Sequence, residues 1–276
     1  MNIVIICSKE DVASNNFFDC LIDNYNFEEI QKNIYYLKEN KGKRDYAIND
    51  IFLIYFEKLH LYLTEEEINE KIESLEKKID QVIFLSKHST TSKNKEKSFS
   101  AHAIGNWSSA DFGGKPYSLC KTDSILLREI LIRIKTRNVE FKKYKIKQEA
   151  THHGPYLEYS SIFVEIGSSL EEWNDLKGIN FIAENIIEIL KYYDKEKIKT
   201  ENNWIEAVGY GGSHYCTQFF KSQTDLKNKY CFGHVIPNYA IEKINNSLKT
   251  KEMLEQALKK SNSKIVLTED LKEIKL

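Results

Sequence analysis

Short apolar runs and amphipathic stretches alternate along the chain. A β-branched run at Asn2–Cys7 predicts a first, central strand, and apolar runs at Gln81–Leu85 and Ile162–Ile166 predict two more. Apolar positions at helical spacing predict helices at Asp123–Thr136 and Leu176–Tyr192. Because strands and helices alternate, the pattern predicts an α/β fold with a mixed, largely parallel sheet flanked by helices.

Turn and capping signals divide the rest of the chain. Thr64 followed by Glu67 is a capping-box pattern that predicts the start of a helix. The polar, lysine-rich stretch Ser89–Ser100 predicts a mobile loop, and no long linker interrupts residues 1–276, so we expect a single domain. The further predicted strands are Ile34–Leu37, Ile51–Phe56, Lys143–Glu149, Trp204–Val208, Lys229–Ile236 and Lys264–Leu267.

The amino-acid composition indicates the class of protein and the cellular compartment that we expect. The 276 residues are 41% hydrophobic and 29% charged, which is typical of a globular chain with a substantial core. No stretch approaches the ~20 apolar residues needed to cross a bilayer, and the N-terminal apolar run is too short for a signal peptide. The five cysteines are widely spread and include no C-x-x-C pair. We therefore expect a soluble cytoplasmic protein without disulfides and without a membrane partner.

Charge is unevenly distributed although the net charge is only −1. Residues 87–147 hold fourteen Lys or Arg against five acidic residues, whereas residues 149–190 hold one against eight. A polyanion such as tRNA could use the basic part for steering and phosphate contact. Within it, Lys135–Lys147 mixes cations with Phe141 and Tyr144, which suits nucleic acid. A lysine-rich solvated surface and a lysine-protected edge strand are the alternative interpretations.

Most histidines fall where a ligand site is expected. His88, His152, His153, His214 and His234 lie at or just beyond predicted strand ends, and His102 precedes a glycine turn. Ligands of open α/β sheets bind beyond the carboxyl ends of the strands, so these six histidines are expected to converge on one rim. His60, in a leucine-rich stretch, looks incidental.

The densest signal is the segment Glu149–Pro155 (EATHHGP). His152 and His153 follow a predicted strand, so we expect them to point to different sides, one facing a pocket and the other holding the loop. Neutral histidine serves as a general base or a metal ligand near pH 7, and Glu149 could orient one imidazole. Structural or surface roles are the alternative for such a pair.

A second carboxylate stands inside an apolar strand. Glu165 lies in the run Val164–Ser168 (VEIGS), where a buried charge must find a partner. It is expected to be a general base or the partner of a histidine or metal. The alternative is that Glu165 lies on the solvent face of an edge strand.

Glycine turns supply possible backbone donors near such a site. Gly113–Gly114 and Gly211–Gly212 allow close approach of a ligand and offer N–H groups to an oxyanion. No P-loop, G-x-G-x-x-G fingerprint, G-x-S-x-G nucleophile elbow or H-E-x-x-H motif is present, which argues against kinase, dinucleotide-binding, serine hydrolase and zincin classes.

Together these blocks resemble the archaeal and plant type of D-aminoacyl-tRNA deacylase. The resemblance runs from Asn2 to about Tyr239 and rests on Ser86–Ser89, His102–Asn106, Phe112–Pro116, Glu149–Pro155, Val164–Ser168 with Glu172 and Trp173, Gly211–Tyr215 and Gly233–Ala240. There are departures. Ala103 follows His102 where the family usually has proline, Cys216 and Thr217 replace a small residue and proline, and Lys87 and Asn238 replace what are commonly Arg and Lys.

The resemblance implies a hydrolase that cleaves the ester joining a D-amino acid to the terminal ribose of tRNA, with D-aminoacyl-tRNA as its partner. It implies a fold similar to peptidyl-tRNA hydrolase and nucleoside phosphorylases, and zinc as a cofactor. No protein partner is implied. The alternatives are a zinc-dependent amidohydrolase or peptidase on small D-substrates and a non-enzymatic tRNA-binding module.

On this basis we assign roles to four groups of residues. The expected catalytic residues are His152, His153, Glu149 and Glu165. The expected substrate-binding residues are His88, His102, Asn106, Gly113, Gly114, Gly211, Gly212, His214 and His234. Zinc is expected on His152, His153 and His214, and the tRNA backbone on Lys87, Lys115, Lys142, Lys143 and Lys145.

Overall fold

A computed structural model describes residues 1–38, 49–90 and 95–276. In these ranges the strands are β1 (Asn2–Ser8), β2 (Phe27–Gln31), β3 (Ile34–Leu37), β4 (Asp50–Phe56), β5 (Gln81–Ser89), β6 (Ser98–Ala103), β7 (Gly105–Asn106), β8 (Ser118–Leu119), β9 (Lys145–Gln148), β10 (Ser161–Ser168), β11 (Ile205–Tyr210), β12 (Tyr230–Ile236), β13 (Ile265–Thr268) and β14 (Glu273–Ile274).

Helices separate most of these strands. They are α1 (Val12–Asn24), α2 (Glu65–Glu73), α3 (Ser124–Arg137), α4 (Leu170–Trp173), α5 (Leu176–Tyr192), α6 (Lys195–Asn202), α7 (Thr217–Thr224), α8 (Asn238–Ile244) and α9 (Ser247–Lys260), with a short 3-10 turn at His60–Tyr62. Thr64 caps α2 and forms the predicted capping box with Glu67. No helix among the described residues is long and apolar enough to span a membrane.

The main sheet has eight strands in the order β2-β3-β4-β1-β5-β10-β6-β9. Its four central strands, β4, β1, β5 and β10, run parallel, whereas β6 is antiparallel to β10 and the β2–β3 pair is antiparallel. The predicted α/β fold with a mixed, largely parallel sheet flanked by helices is therefore confirmed. Its predicted likeness to peptidyl-tRNA hydrolase and nucleoside phosphorylases stays a prediction.

A smaller sheet completes the fold. It has the order β12-β11-β13-β14, with the first three strands parallel. The end of β9 and the segment that follows it connect the two sheets. The side-chain amide of Gln148, the last residue of β9, donates to the Phe232 carbonyl at 3.0 Å, and the Thr151 N–H donates to the Val235 carbonyl at 3.1 Å. The predicted site segment Glu149–Pro155 therefore lies at the junction of the sheets.

Both faces of the main sheet are buried, as expected for parallel strands. One face packs against α1, α3 and α5 through residues such as Ile5, Leu85 and Val164. The other face, which carries Phe84 and Phe163, packs against α2 and the connecting loops. Strand alternation thus decides which side chains reach the loop-covered face, where the histidines are found.

One predicted loop is partly a strand. Residues Ser98–Ser100, assigned to a mobile loop near 89–100, begin β6, and Ser98 and Ser100 are fully buried between β10 and β9. Ser89 also belongs to a strand, the last residue of β5. The prediction was wrong here because a polar composition was taken to indicate a loop. Serine is small enough to be buried, and its backbone can pair with neighbouring strands. Residues 91–94 lie outside the described residues.

Candidate functional site

Three neighbouring strands place side chains on one face of the main sheet. In the β5–β10 register Gly167 is opposite His88 and Glu165 is opposite Ser86, while His102 on β6 is opposite Phe163 on β10. A Cβ atom at position 167 would lie 2.6 Å from the Cβ atom of His88, so glycine makes room for this imidazole. Glu165 is only 3% exposed on an internal strand, so the edge-strand interpretation is wrong.

The segment after β9 adds Glu149, His152 and His153 to this face. We expected the two histidines to point to different sides, as adjacent residues of extended chain do. Instead their ring centroids are 4.3 Å apart, and both lie near His102 at 4.1 and 4.9 Å. His153 has a φ of 47°, and this left-handed conformation turns the chain so that both rings face the same centre.

The loop after β11 brings the fifth histidine from the smaller sheet. The His214 carbonyl accepts a hydrogen bond from the Ala150 N–H at 2.7 Å, which joins the loop to the site segment. Nε2 of His214 lies 2.9 Å from Oε2 of Glu149, and Nδ1 of His214 lies 3.4 Å from the hydroxyl of Tyr239. We refer to His88, His102, His152, His153, His214, Glu149 and Glu165 as the histidine cluster.

Two buried carboxylates organise the cluster. Oxygens of Glu149 lie 3.0 Å from Nδ1 of His88, 2.9 Å from Nε2 of His214 and 3.7 Å from Nε2 of His152. Oxygens of Glu165 lie 3.3 Å from Nδ1 of His88, 3.8 Å from Nε2 of His102 and 3.9 Å from Nε2 of His153. Burial acts to raise the pKa of each carboxyl, but the surrounding histidines hold both pKa values well below the usual range.

His88 is the cation shared by the two carboxylates. Burial alone would lower its pKa, yet the negative charges of Glu149 and Glu165, whose oxygens both face its Nδ1, raise the pKa of His88 to about 11. The imidazole is therefore positively charged at neutral pH. Its Nε2 lies 3.3 Å from the hydroxyl of Tyr215, whose ring lies under the ammonium of Lys147.

Three histidines share one tautomer. Nδ1 of His102, His152 and His153 lies 3.0, 2.8 and 2.7 Å from the carbonyl oxygens of Ala103, Ala150 and Gly154, respectively. Because a carbonyl only accepts, each Nδ1 carries a hydrogen, and in the neutral imidazole each Nε2 therefore presents a lone pair. Burial, reinforced by neighbouring histidines, lowers the pKa of His152 and His153, whereas Glu165 outweighs burial and raises the pKa of His102.

This arrangement fits a metal ion. The Nε2 atom of His102 is buried and has no hydrogen-bond partner among the described residues. The groups His102–His152–His153, Glu149–His152–His214 and His88–Glu149–Glu165 each bring three ligand atoms within 4.8 Å of one another. Imidazole and carboxylate donors suit zinc, and backbone carbonyls that fix the ligand tautomer are the usual support of zinc-binding histidines. The expected set His152, His153 and His214 is not one of these groups.

Two cavities meet at the cluster. The first, of about 320 Å³, is also lined by Asn106, Trp107, Tyr239 and Lys243, and we call it the Trp107 cavity. The second, of about 280 Å³, is also lined by Asp11, Lys87, His88 and Glu165, and we call it the Lys87 cavity. Both are lined by Phe112, His152, His153 and His214. A larger cavity of about 790 Å³, beside Met1 and Asp80, contains none of the predicted site residues.

Several predicted substrate residues lie elsewhere. His234 is fully buried, with Nδ1 3.1 Å from the hydroxyl of Thr151 and Nε2 2.9 Å from the carbonyl of Cys120, so it does not join the cluster. The Gly211 N–H donates to the Ile236 carbonyl, and the Gly211–Gly212 turn lines neither cavity.

The other predicted glycine turn supports the site from outside. Gly113 and Gly114 have φ values of 76° and 80°. The Gly113 carbonyl accepts a hydrogen bond from the amide of Asn106 at 2.9 Å, and a Cβ at Gly154 would lie 2.2 Å from the Gly114 nitrogen. The turn thus packs directly against the backbone of the site segment, and Asn106 itself lines the Trp107 cavity.

The expected tRNA lysines are dispersed. Lys87 lines the Lys87 cavity and lies 5.3 Å from the ring of Trp173. Lys142 and Lys143 are exposed before β9, which is an edge strand, and Lys145 on that strand pairs with Glu96. Lys115 pairs with Glu65 at 2.7 Å and lies over the ring of Tyr156.

Sequence reasoning missed several residues of the site. Asp11, Phe112, Tyr215 and Tyr239 were given no role, although all lie at the cavities or beside a cluster histidine. Phe112, Tyr215 and Tyr239 lie within the motifs that carry the resemblance, which was the available signal, whereas Asp11 lies outside them, just beyond the end of β1. His60, which looked incidental, is fully buried with Nε2 3.1 Å from the hydroxyl of Ser86, in contact with the Phe163 ring.

Comparison with known proteins shows the family of this chain. A family model described as D-aminoacyl-tRNA deacylase matches residues 75–275. This chain belongs to the D-aminoacyl-tRNA deacylase family. The D-aminoacyl-tRNA deacylase of Archaeoglobus fulgidus is 32% identical over 97% of this chain and 87% of the relative, and that of Pyrococcus furiosus is 33% identical over 95% and 87%.

A solved structure supports the fold. The crystal structure of a conserved protein of unknown function aligns with a TM-score of 0.74 at 24% identity, covering 97% of this chain and 95% of that one. The predicted family and its hydrolase class are confirmed, and the names of the relatives favour neither the amidohydrolase nor the binding-module alternative.

Proposed function

We propose that this chain hydrolyses the ester of D-aminoacyl-tRNA at the histidine cluster and releases the free D-amino acid and tRNA. The observation that carries the proposal is the convergence of five histidines and two buried glutamates between two cavities. An ester consists of an acyl part and an alcohol part. Because the two cavities meet at a group of proton acceptors, each cavity can hold one of these parts.

His152 and His153 are the proton acceptors of this proposal. Their Nε2 lone pairs face carboxylate oxygens of Glu149 and Glu165 at 3.7 and 3.9 Å, beyond direct hydrogen-bonding distance. When one of these imidazoles takes a proton from the attacking water, the facing carboxylate stabilises the imidazolium. The imidazolium then returns a proton to the departing ribose oxygen.

The charged His88 contributes a second effect. Its charge is fixed between Glu149 and Glu165, so it needs no rearrangement when negative charge develops on the ester carbonyl. A preorganised cation in a water-poor site stabilises such an oxyanion. Because Gly211–Gly212 lines neither cavity, the charged His88 takes this role in its place.

Zinc is the cofactor of the proposal, and His102, His152 and His153 would hold it. When bound, zinc supplies a Lewis acid for the carbonyl and lowers the pKa of water. If the ion held these Nε2 atoms, Glu165, which lines the Lys87 cavity, would be the residue available to accept the proton in place of His152 and His153.

The proposal extends to location and organisation. A chain that acts on tRNA is expected in the cytoplasm. The contacts between the two sheets around Glu149–Pro155 support one α/β domain over residues 1–276, since the site takes side chains from both sheets.

The test is hydrolysis of matched D-Tyr-tRNA and L-Tyr-tRNA by the purified protein before and after chelation. Cleavage of the D ester alone, abolished by a chelator and restored by zinc, supports the function and the metal. Cleavage of the D ester that persists after chelation supports the function without the metal and assigns proton transfer to the histidines. Cleavage of neither ester, with tRNA still bound, contradicts the enzymatic function.

A further inference from the structure

We propose that the Trp107 cavity binds the 3′-terminal adenosine of tRNA and that the Lys87 cavity binds the D-amino acid. This inference rests on the proposed function and deepens it by assigning the two halves of the ester. Because the cavities share Phe112, His152, His153 and His214, an ester carbonyl at the cluster sends one half of the substrate into each.

Aromatic rings distinguish the two cavities. Trp107 and Phe112, both on the loop between β7 and β8, and Tyr239, in the first turn of α8, line the Trp107 cavity. Among the described residues that line the Lys87 cavity, Phe112 is the one Phe, Tyr or Trp. Proteins bind unpaired bases by stacking them on such rings. The cavity volume of about 320 Å³ also lies within the ~300–1,000 Å³ usual for small-ligand sites.

Two of these rings are exposed to solvent, so a base can stack on them. Phe112 is 65% exposed and Tyr239 is 47% exposed, although both are large side chains at the edge of a cavity. An exposed aromatic at a concave site is a usual place for a base to stack. Every tRNA ends in the same adenosine, so fixed rings suit this half of the substrate better than the variable amino acid.

The charged side chains of the Lys87 cavity suit an amino acid. The carboxylates of Asp11 and Glu165 form part of its wall beside the cationic side chains of Lys87 and His88, so opposite charges face both the ammonium and the ester carbonyl of an amino acid. In the Trp107 cavity the carboxylate of Asp111 is paired with Lys243 at 2.9 Å, and both side chains are more than half exposed. An exposed pair of this kind is weak, so Lys243 can turn to a nucleotide phosphate.

The first test uses adenosine 5′-monophosphate as the probe and does not require turnover. Titration calorimetry should detect binding to the wild-type protein and a loss of about tenfold or more in Phe112→Ala and Tyr239→Ala, since one stacked ring contributes roughly 5- to 150-fold. Tyr239→Phe keeps the ring and should keep the affinity. Leu226→Ala, an exposed apolar control in the turn before β12 that lines neither cavity, should also keep it.

The second test compares kcat/KM for D-tyrosyl adenosine and D-tyrosine methyl ester. The ratio should exceed tenfold in the wild-type protein and in Leu226→Ala, and it should fall about tenfold in Phe112→Ala. Equal ratios in all variants, or no binding of adenosine 5′-monophosphate, would overturn the assignment. So would a Phe112→Ala variant that changes the preference among D-amino acids and leaves the adenosine ratio unaltered. If no D ester is cleaved, the proposed function fails, and the calorimetry still decides the adenosine site.

Discussion

Nδ1 of His88, on β5, lies 3.0 Å from Oε1 of Glu149, on the segment after β9, and both side chains are almost completely buried. Removing one partner of a buried ion pair leaves an unpaired charge, which costs about 3–5 kcal/mol. We therefore expect His88→Gln to lower the free energy of unfolding in urea by about 3–5 kcal/mol.

A double-variant comparison separates this effect from a simple packing loss. His88→Gln combined with Glu149→Gln removes both charges and should recover part of the lost stability. The control is Glu171→Gln, which breaks the exposed pair with Lys97 and should cost less than about 1 kcal/mol. Additive effects of His88→Gln and Glu149→Gln would contradict the pairing.

The regular part of this architecture follows from local pattern. A β-branched run predicted β1, apolar runs predicted β5 and β10, and helical spacing predicted α3 and α5, because each of these elements buries a continuous apolar face. β6 escaped prediction because Ser98 and Ser100 are polar, yet their backbone pairing and small size make them buried.

The site was predicted in its residue types and not in its geometry. The histidine-rich motifs pointed to His152, His153 and His102, and the apolar run around Glu165 pointed to a buried carboxylate. The joint orientation of His152 and His153 depends on the left-handed conformation of His153, and the position of His214 depends on the docking of the smaller sheet. Neither property has a signature in local sequence.

Gly167 is predicted to be indispensable to the geometry of His88. A methyl group in Gly167→Ala would lie 2.6 Å from the Cβ atom of His88, so the imidazole must shift away from Glu149 and Glu165. We expect a destabilisation of about 1–3 kcal/mol and at least a tenfold fall in kcat.

Thermal unfolding and single-turnover hydrolysis of D-Tyr-tRNA measure the two effects of Gly167→Ala. The matched control is Gly178→Ala in α5, whose added methyl would meet the flexible end of Ile166 at 3.0 Å. Full activity of Gly167→Ala would show that the position of His88 does not matter.

The His102–His152–His153 group predicts the metal-binding behaviour of the protein. His102→Ala removes one of the three converging Nε2 atoms and should weaken zinc binding about tenfold or more. Competition with a chromophoric chelator measures the affinity. His234→Gln serves as the control because His234 is buried outside the cluster, and equal zinc affinities of the two variants would exclude this ligand group.

His234 makes stability depend on pH. Burial lowers the pKa of His234 from the usual 6.5 to about 4. Between pH 6.5 and about pH 4, His234 is therefore protonated in the unfolded chain and neutral in the folded chain. The contribution of His234 to the free energy of unfolding is fully present above pH 6.5. It decreases by about 3 kcal/mol as the pH falls to 4.

Urea unfolding between pH 4.5 and 6 measures this loss. In His234→Gln the slope of unfolding free energy against pH should be smaller than in the wild-type protein by about one proton, or ~1.4 kcal/mol per pH unit. The slope is the decisive quantity, because the variant also loses the hydrogen bonds to Thr151 and Cys120. Identical slopes would contradict a neutral, buried His234.

The most direct test of the central claim is the single-turnover rate of D-Tyr-tRNA hydrolysis by the double variant His152→Ala/His153→Ala. Both imidazoles face buried carboxylates at the point where the two cavities meet. We predict that the rate falls by about 10²- to 10⁴-fold while tRNA binding persists. Full deacylase activity of the double variant would contradict the assignment of this cluster as the hydrolytic centre.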